Sequence, residues 1–361
     1  MVMWPERPVA LAGTRATTLP SGTVLPSPLI SVIVAAHDLQ GSLENCLKSI
    51  LTQSFRDVEV IVVLDRSAEC PADLVDAYAQ RDGRVSVVQL DGSVGIGQVR
   101  NAGAEHATGD YLLFLDSDHI VKGATLQAMA DRLQTADEPD ILLFGHTRLH
   151  RGRSWPGTAE GVLSLLGRNP FTPIDHPELF GVPAYAWDRL LRRDLWIRQA
   201  LAFPDGLHEE IAVVHRALLG ADRIAVLKWE CVQISRRLTQ HPAGSPGGTH
   251  FDVFNRYEES FGLLKGHGGL DAAAPFLFTR MIRHCLFVLN LSGCLSRTER
   301  PQFFQQAVEH YRRFLPDGYE RPDGREGVKF QLIAGGTYSA FEAAKLTNLA
   351  GLARGVVSRG R

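Results

Sequence analysis

The sequence is short of the features that would mark a secreted, membrane-spanning or nucleic-acid-binding protein. Its five cysteines (Cys46, Cys70, Cys231, Cys285 and Cys294) form no C-x-x-C pair and are odd in number. That pattern suits free thiols in a reducing compartment better than a disulfide framework or a zinc site. Net charge is scarce as well: 38 basic against 40 acidic side chains leave a formal −2, so no broad field draws in nucleic acid or anionic lipid. No run approaches the ~20 apolar residues needed to span a bilayer. Residues 1–28 lack a positively charged start followed by an apolar core, and no internal repeat or low-complexity tract is present. These absences lead us to expect a cytoplasmic protein with no nucleic-acid partner and no transmembrane segment, one whose acceptor can still lie at the inner face of a membrane.

What is present is ordinary globular material. A hydrophobic content of 45% over 361 residues is enough for one large α/β domain and a smaller appendage. Residues 1–28 carry Pro5, Pro8, Pro20, Pro26 and Pro28 without periodicity and read as an extension. Short β-branched runs follow at 29–36, 58–64, 85–90 and 111–115, separated by helical patterns such as Leu43, Cys46, Leu47, Ile50 and Leu51. Strands alternating with helices at this spacing predict a mostly parallel sheet covered on both faces. Ligands bind such sheets beyond the carboxyl ends of the strands, which directs attention to His37, Asp38, Asp65, Ser67 and the run Asp116–His119.

The strongest chemical signal is YLLFLDSD, Tyr111–Asp118, an apolar strand ending in Asp116, Ser117 and Asp118. Two carboxylates converging after a strand offer hard oxygens to Mg²⁺ or Mn²⁺; the bland alternative is a solvated turn. In this setting the segment 29–118 resembles the donor-binding half of family 2 glycosyltransferases. LENCLKSILTQSF matches the family's first helix, while the preceding AAHD replaces its P-x-Y-N, with Ala35, His37 and Asp38 at those positions. The family's D-D-G-S becomes Leu64, Asp65, Arg66, Ser67. GIGQVRNAGAEHATG, Gly95–Gly109, resembles the G-x-x-x-A-R-N-x-G stretch ahead of the D-x-D strand. Its G-x-G is not a dinucleotide fingerprint, because Arg100 takes the third glycine's place and the motif follows the third strand.

The resemblance implies a GT-A fold, Rossmann-like with a mostly parallel central sheet. It implies a nucleotide-sugar donor, UDP-linked, contacted by Ala35, His37, Asp38, Asp65, Arg100, Asp116, Ser117 and Arg237. It also implies Mn²⁺ or Mg²⁺ at Asp116 and Asp118, with His241 as a candidate third ligand, and transfer with inversion. WDRLLRRDLWIRQALAFPDGLHEE, Trp187–Glu210, resembles the family's W-[ND]-K-L-x-R-R stretch followed by a loop ending in an acidic pair. There Glu210 falls on the catalytic base and Glu209 on the residue before it, against the alternative of two exposed helix-start glutamates. Asn101 is expected to brace its loop, and His119 to touch acceptor or metal.

The expected division is 1–28 extension, 29–238 transferase domain (29–120 donor half, 121–238 acceptor half), 239–249 linker and 250–361 helical domain. Aromatic stripes such as Phe278, Met281, Ile282, Cys285 and Leu289 predict helices that hold the acceptor, a glycan or cell-surface polymer, or make a homodimer. His284 beside Cys285 cannot form a catalytic pair on a helix. Two rivals stand beside a transferase of the teichoic-acid or polysaccharide type. A nucleotidyltransferase is disfavoured by the missing G-x-x-x-x-G-K-[ST] loop. A catalytically silent sugar-nucleotide scaffold is suggested by Ala35, Leu64 and Glu210.

Overall fold

A computed structural model describes residues 28–36, 40–65, 72–92, 94–150, 152–235 and 249–344. In chain order the elements are β1 (Ile30–Ala36), α1 (Gln40–Leu51), β2 (Val58–Asp65), α2 (Ala72–Arg81), β3 (Val85–Leu90), α3 (Ile96–His106) and β4 (Tyr111–Asp116). Then come β5 (His119–Val121), α4 (Thr125–Thr135), β6 (Ile141–His150), β7 (Arg153–Pro156), α5 (Glu160–Leu165), β8 (Arg189–Arg192), α6 (Arg193–Arg198), α7 (Glu210–Gly220) and β9 (Ile224–Ser235). Four helices follow: α8 (Asp252–Lys265), α9 (Ala274–Asn290), α10 (Glu299–Phe314) and α11 (Gly324–Gly335).

The strand order is β3-β2-β1-β4-β8-β6-β9-β5, with β7 on β6. All seven residues of β1 are buried, as a central parallel strand covered on both faces requires. It runs parallel to β2 and to β4, which sets Ala35 opposite both Val63 and Asp116. That register brings the carboxyl ends of three strands to one rim. The short β8 is antiparallel to both β4 and β6 and joins the two parts of the sheet.

Alternation along the strands divides the core between the two faces. Ile33, Ala35, Ile61, Val63, Leu112 and Phe114 pack with α3, α6 and α7 on one side. Val32, Val34, Val60, Val62, Leu113 and Leu115 pack with α1 and α4 on the other. The last four helices are continuous with the first of these layers through Phe254, Phe278, Phe303, Phe304 and Phe330. Each such fully buried side chain contributes on the order of 1.5–3 kcal/mol of transfer free energy.

One helical stretch, Asp271–Asn290, has the length and apolarity to cross a membrane, contrary to the reading of the sequence by runs. Phe278, Met281, Ile282, Cys285 and Leu289 nevertheless lie in the core, so one face of it is a packing surface. Cys46, Cys231 and Cys285 are buried free thiols and Cys294 is a half-buried one. Cys70 lies outside the described residues.

Candidate active site

Four chain segments meet at the carboxyl rim of the sheet, and α3 is the element that joins them. Its glycines let it approach closely. A Cβ on Gly103 would fall 2.3 Å from Ile33 Cγ2 of β1, and one on Gly97 would fall 2.9 Å from Pro204 O and 3.3 Å from Glu209 Cγ. Gly97, the second glycine of the G-x-G, therefore serves helix packing against the acidic loop. Asn101, expected to brace the loop of its own segment, instead clasps the acidic loop, donating from Nδ2 to Phe203 O and accepting from Phe203 N–H, both at 2.8 Å.

This approach delivers Arg100, 3% exposed, to a cluster of carboxylates from both halves of the chain. Its Nη1 lies 2.6 Å from Glu209 Oε1, and its Nη2 lies 2.9 Å from Asp116 Oδ1 and 3.2 Å from Glu210 Oε1. Burial works against the guanidinium's charge, but Asp116, Glu210 and Glu209 outweigh it and hold the pKa above the usual arginine range. The planar fork suits such multiple pairing, where a point-charge ammonium would not. Ion pairs removed from water hold their geometry because breaking one strands a buried charge.

Glu210 opens α7 and Glu209 stands just before it, making no side-chain capping hydrogen bond. The two carboxylates differ in surroundings. Glu209 is the more buried, at 8% side-chain exposure against 15% for Glu210. Glu210 Oε1 also accepts the Ala186 N–H at 3.2 Å. Burial raises the Glu210 pKa well above the usual carboxylate range, Glu209 and Asp116 add to the rise, and Arg100 opposes it.

Asp116 and Asp118 are half-buried and meet around His119, whose Nε2 lies 3.7 Å from Asp116 Oδ2 and 3.8 Å from Asp118 Oδ1. The Asp116 N–H donates to His119 Nδ1 at 3.1 Å. That bond fixes the tautomer: Nδ1 carries the lone pair, so the proton is on Nε2, facing the two carboxylates. Burial lowers the His119 pKa against the pull of both aspartates, favouring this neutral form. His119 Nε2 thus faces both carboxylates from beyond hydrogen-bond distance, while its Nδ1 ties the ring to the Asp116 backbone. Two convergent, part-exposed carboxylates fit one side of a hard divalent cation. Among the described residues no group of three His, Cys, Asp or Glu forms a closed metal cage, so the remaining positions would fall to ligand oxygens and water.

Ala35 lies in β1 against this turn, its carbonyl accepting the Ser117 N–H at 3.2 Å. Asp65, 1% exposed, ends β2 and is not among the Arg100 ion pairs. His37, Asp38, Arg66, Ser67, Arg237 and His241 lie outside the described residues.

The sequence reading missed an aromatic wall beside the cluster. Tyr185 and Trp187 stack at 4.3 Å between centroids, and His119 meets Trp187 edge-on at 5.0 Å. His146, 1% exposed and kept neutral by burial with a pKa lowered to about 4, packs edge-on to Tyr185. The sequence cue was Trp187, which opens the segment ending in the glutamate pair; Ala186 between the two rings donates its backbone N–H to Glu210.

Residues 31–170 match the family model described as Glycosyl transferase family 2. Glycosyltransferase GlyG of Streptococcus pneumoniae serotype 4 is 33% identical over 238 residues, covering 63% of this chain and 75% of that protein. An uncharacterized glycosyltransferase of Bacillus subtilis, EpsJ, is 27% identical over 278 residues, covering 74% and 79% respectively. Among solved structures, S. aureus TarS residues 1–349 in complex with UDP-GlcNAc superposes with a TM-score of 0.70 at 20% identity, covering 90% of this chain and 92% of that one. At that identity the likeness speaks for the GT-A fold alone. The relation to GlyG along most of its length, together with the matched segment bearing Arg100 and the Asp-Ser-Asp turn, makes this chain a member of glycosyltransferase family 2.

Proposed function

We propose that this glycosyltransferase moves a sugar from a UDP-linked donor to a hydroxyl of a glycan or cell-surface polymer, with inversion and with a divalent cation. The observation that carries the reading is the shared Arg100, which ties Asp116 to Glu209 and Glu210. TarS binds UDP-GlcNAc in the structure with the same fold, which supports a UDP-sugar donor. We keep the division into a donor half 29–120, an acceptor half 121–238 and a helical part 250–361, working in the cytoplasm against an acceptor at the inner membrane face.

Asp116 and Asp118 would hold Mn²⁺ or Mg²⁺, which neutralises charge on the departing diphosphate. Glu210 takes the proton of the acceptor hydroxyl. Its Oε1 is engaged by Arg100 and Ala186, which leaves Oε2 as the proton-accepting atom. The acceptor oxygen bonds to the anomeric carbon as the carbon–diphosphate bond breaks on the opposite side, and UDP leaves. Arg100 and Glu209 keep Glu210 and Asp116 in register, and His119 accepts the Asp116 backbone N–H behind the turn.

The test is Glu210→Gln. UDP release should fall by ~10² to 10⁴-fold, with UDP affinity by calorimetry unchanged within about twofold, since Gln conserves shape and Arg100 keeps its other partners. Normal turnover would remove the base assignment.

A further inference from the structure

The loop that ends in Glu209 and Glu210 has a backbone that does not hold itself. Gly206 has φ +94° and His208, a non-glycine residue, has φ +58°. Left-handed conformation at a residue with a Cβ is strained and persists only where surroundings over-determine it. From one side α3 grips the loop, with Gln98 Nε2 donating to Asp205 Oδ1 at 2.7 Å and Asn101 clasping Phe203. The other side is held by α8 of the helical part. Asp252 Oδ2 accepts the Leu207 N–H at 2.9 Å and the Thr249 N–H at 3.1 Å. Arg256 Nη2 donates to Asp205 O, and His208 Nε2 and His250 Nδ1 pair at 3.2 Å. A Cβ on Gly206 would fall 2.4 Å from Asp252 Oδ2, so glycine is the residue that admits this carboxylate.

We propose that Asp252, with Arg256, is a positioning residue for catalysis: the first turn of α8 sets the loop that aims Glu210 at the acceptor hydroxyl. This rests on Glu210 being the base. An acid in the first turn of a helix also complements the helix dipole, but that role reaches only stability. The positioning role predicts a loss confined to turnover, because a displacement near 1 Å of a reacting group costs on the order of 10²-fold, while Asp116, Asp118 and the diphosphate side remain in place.

The experiment compares Asp252→Ala, Asp252→Asn and Arg256→Ala in the full chain, reading kcat from UDP release over a panel of UDP-sugars, donor KM, UDP affinity and Tm. Asp252→Ala should lower kcat about 10- to 100-fold with donor KM and UDP affinity within about twofold. Asp252→Asn should recover most of it, because its amide oxygen still accepts both N–H groups. Hydrogen exchange adds a readout independent of turnover: amides of residues 205–211 should exchange faster in the Ala variant and not in the Asn variant. A near-parental kcat in Asp252→Ala overturns the proposal, as does an equal loss in Ala and Asn that tracks Tm and UDP affinity. If Asp252→Ala does not fold, Arg256→Ala is read by the same criteria. Glu210→Gln in parallel separates the two claims: normal turnover there removes the base, whereas an inactive Gln variant beside a fully active Asp252→Ala removes only the role of α8.

Discussion

As the proposed base, Glu210 would combine a proton-accepting task with a site that favours its protonated form: burial, Glu209 and Asp116 raise its pKa, against Arg100 and the Ala186 N–H, which lower it. The sign of the pH dependence follows. A base acts ionised, so activity is full above the raised pKa and lost as pH falls through it. The acid limb of kcat/KM for the free enzyme should therefore lie well above the usual glutamate value of about 4.3. A profile flat down to about pH 5 would contradict this. At this scale much was legible in the sequence. The Asp-Ser-Asp turn, Arg100 and the glutamate pair each follow a motif, and Asp116, Arg100, Glu209 and Glu210 do come together. Tyr185, the packing of Trp187 against His119 and the direction of the His119 proton were not legible, because none follows from a motif or from apolar spacing.

Helix α3 positions the site because glycine stands where it crosses β1. Replacing Gly103 with Ala places a methyl 2.3 Å from Ile33 Cγ2, and overpacking of this kind costs ~1–3 kcal/mol. The expected outcome is a Tm lower by a few degrees, accompanied by a fall in turnover as Arg100 shifts from its partners. A Gly103→Ala protein with parental Tm and kcat would show that the helix has slack. The parallel strands and their helices could be read from β-branched runs and apolar spacing. By contrast β8, Arg189–Arg192, is too short for periodicity, and its sequence RLLR is charged at both ends. It earns strand geometry from pairing with β4 and β6. The three-residue β5 is likewise set by β9 and not by its own pattern.

Across the whole molecule β1, α3, the acidic loop and the last helices share one continuous apolar layer, so a ligand of the native state should stabilise all of it. UDP with Mn²⁺ should raise Tm more than UDP alone; occupancy at about 100 times Kd is worth ~2.7 kcal/mol. Asp118→Ala should abolish the Mn²⁺-dependent increment and keep the rest. An increment that survives in Asp118→Ala would place the cation elsewhere. The sequence indicated the order of sheet and helices but not their shared core, since amphipathic stripes report that a face is buried and are silent on what covers it.

The guanidinium of Arg100, with ligands drawn from the D-x-D strand and from the later acidic loop, also bears on how such enzymes diversify. Recombination between relatives at the junction of the two halves would separate a cation from anions tuned to its reach, leaving uncompensated charge in the interior. Viable chimeras should inherit both sides of that contact from one parent, whereas segments outside it can be exchanged singly.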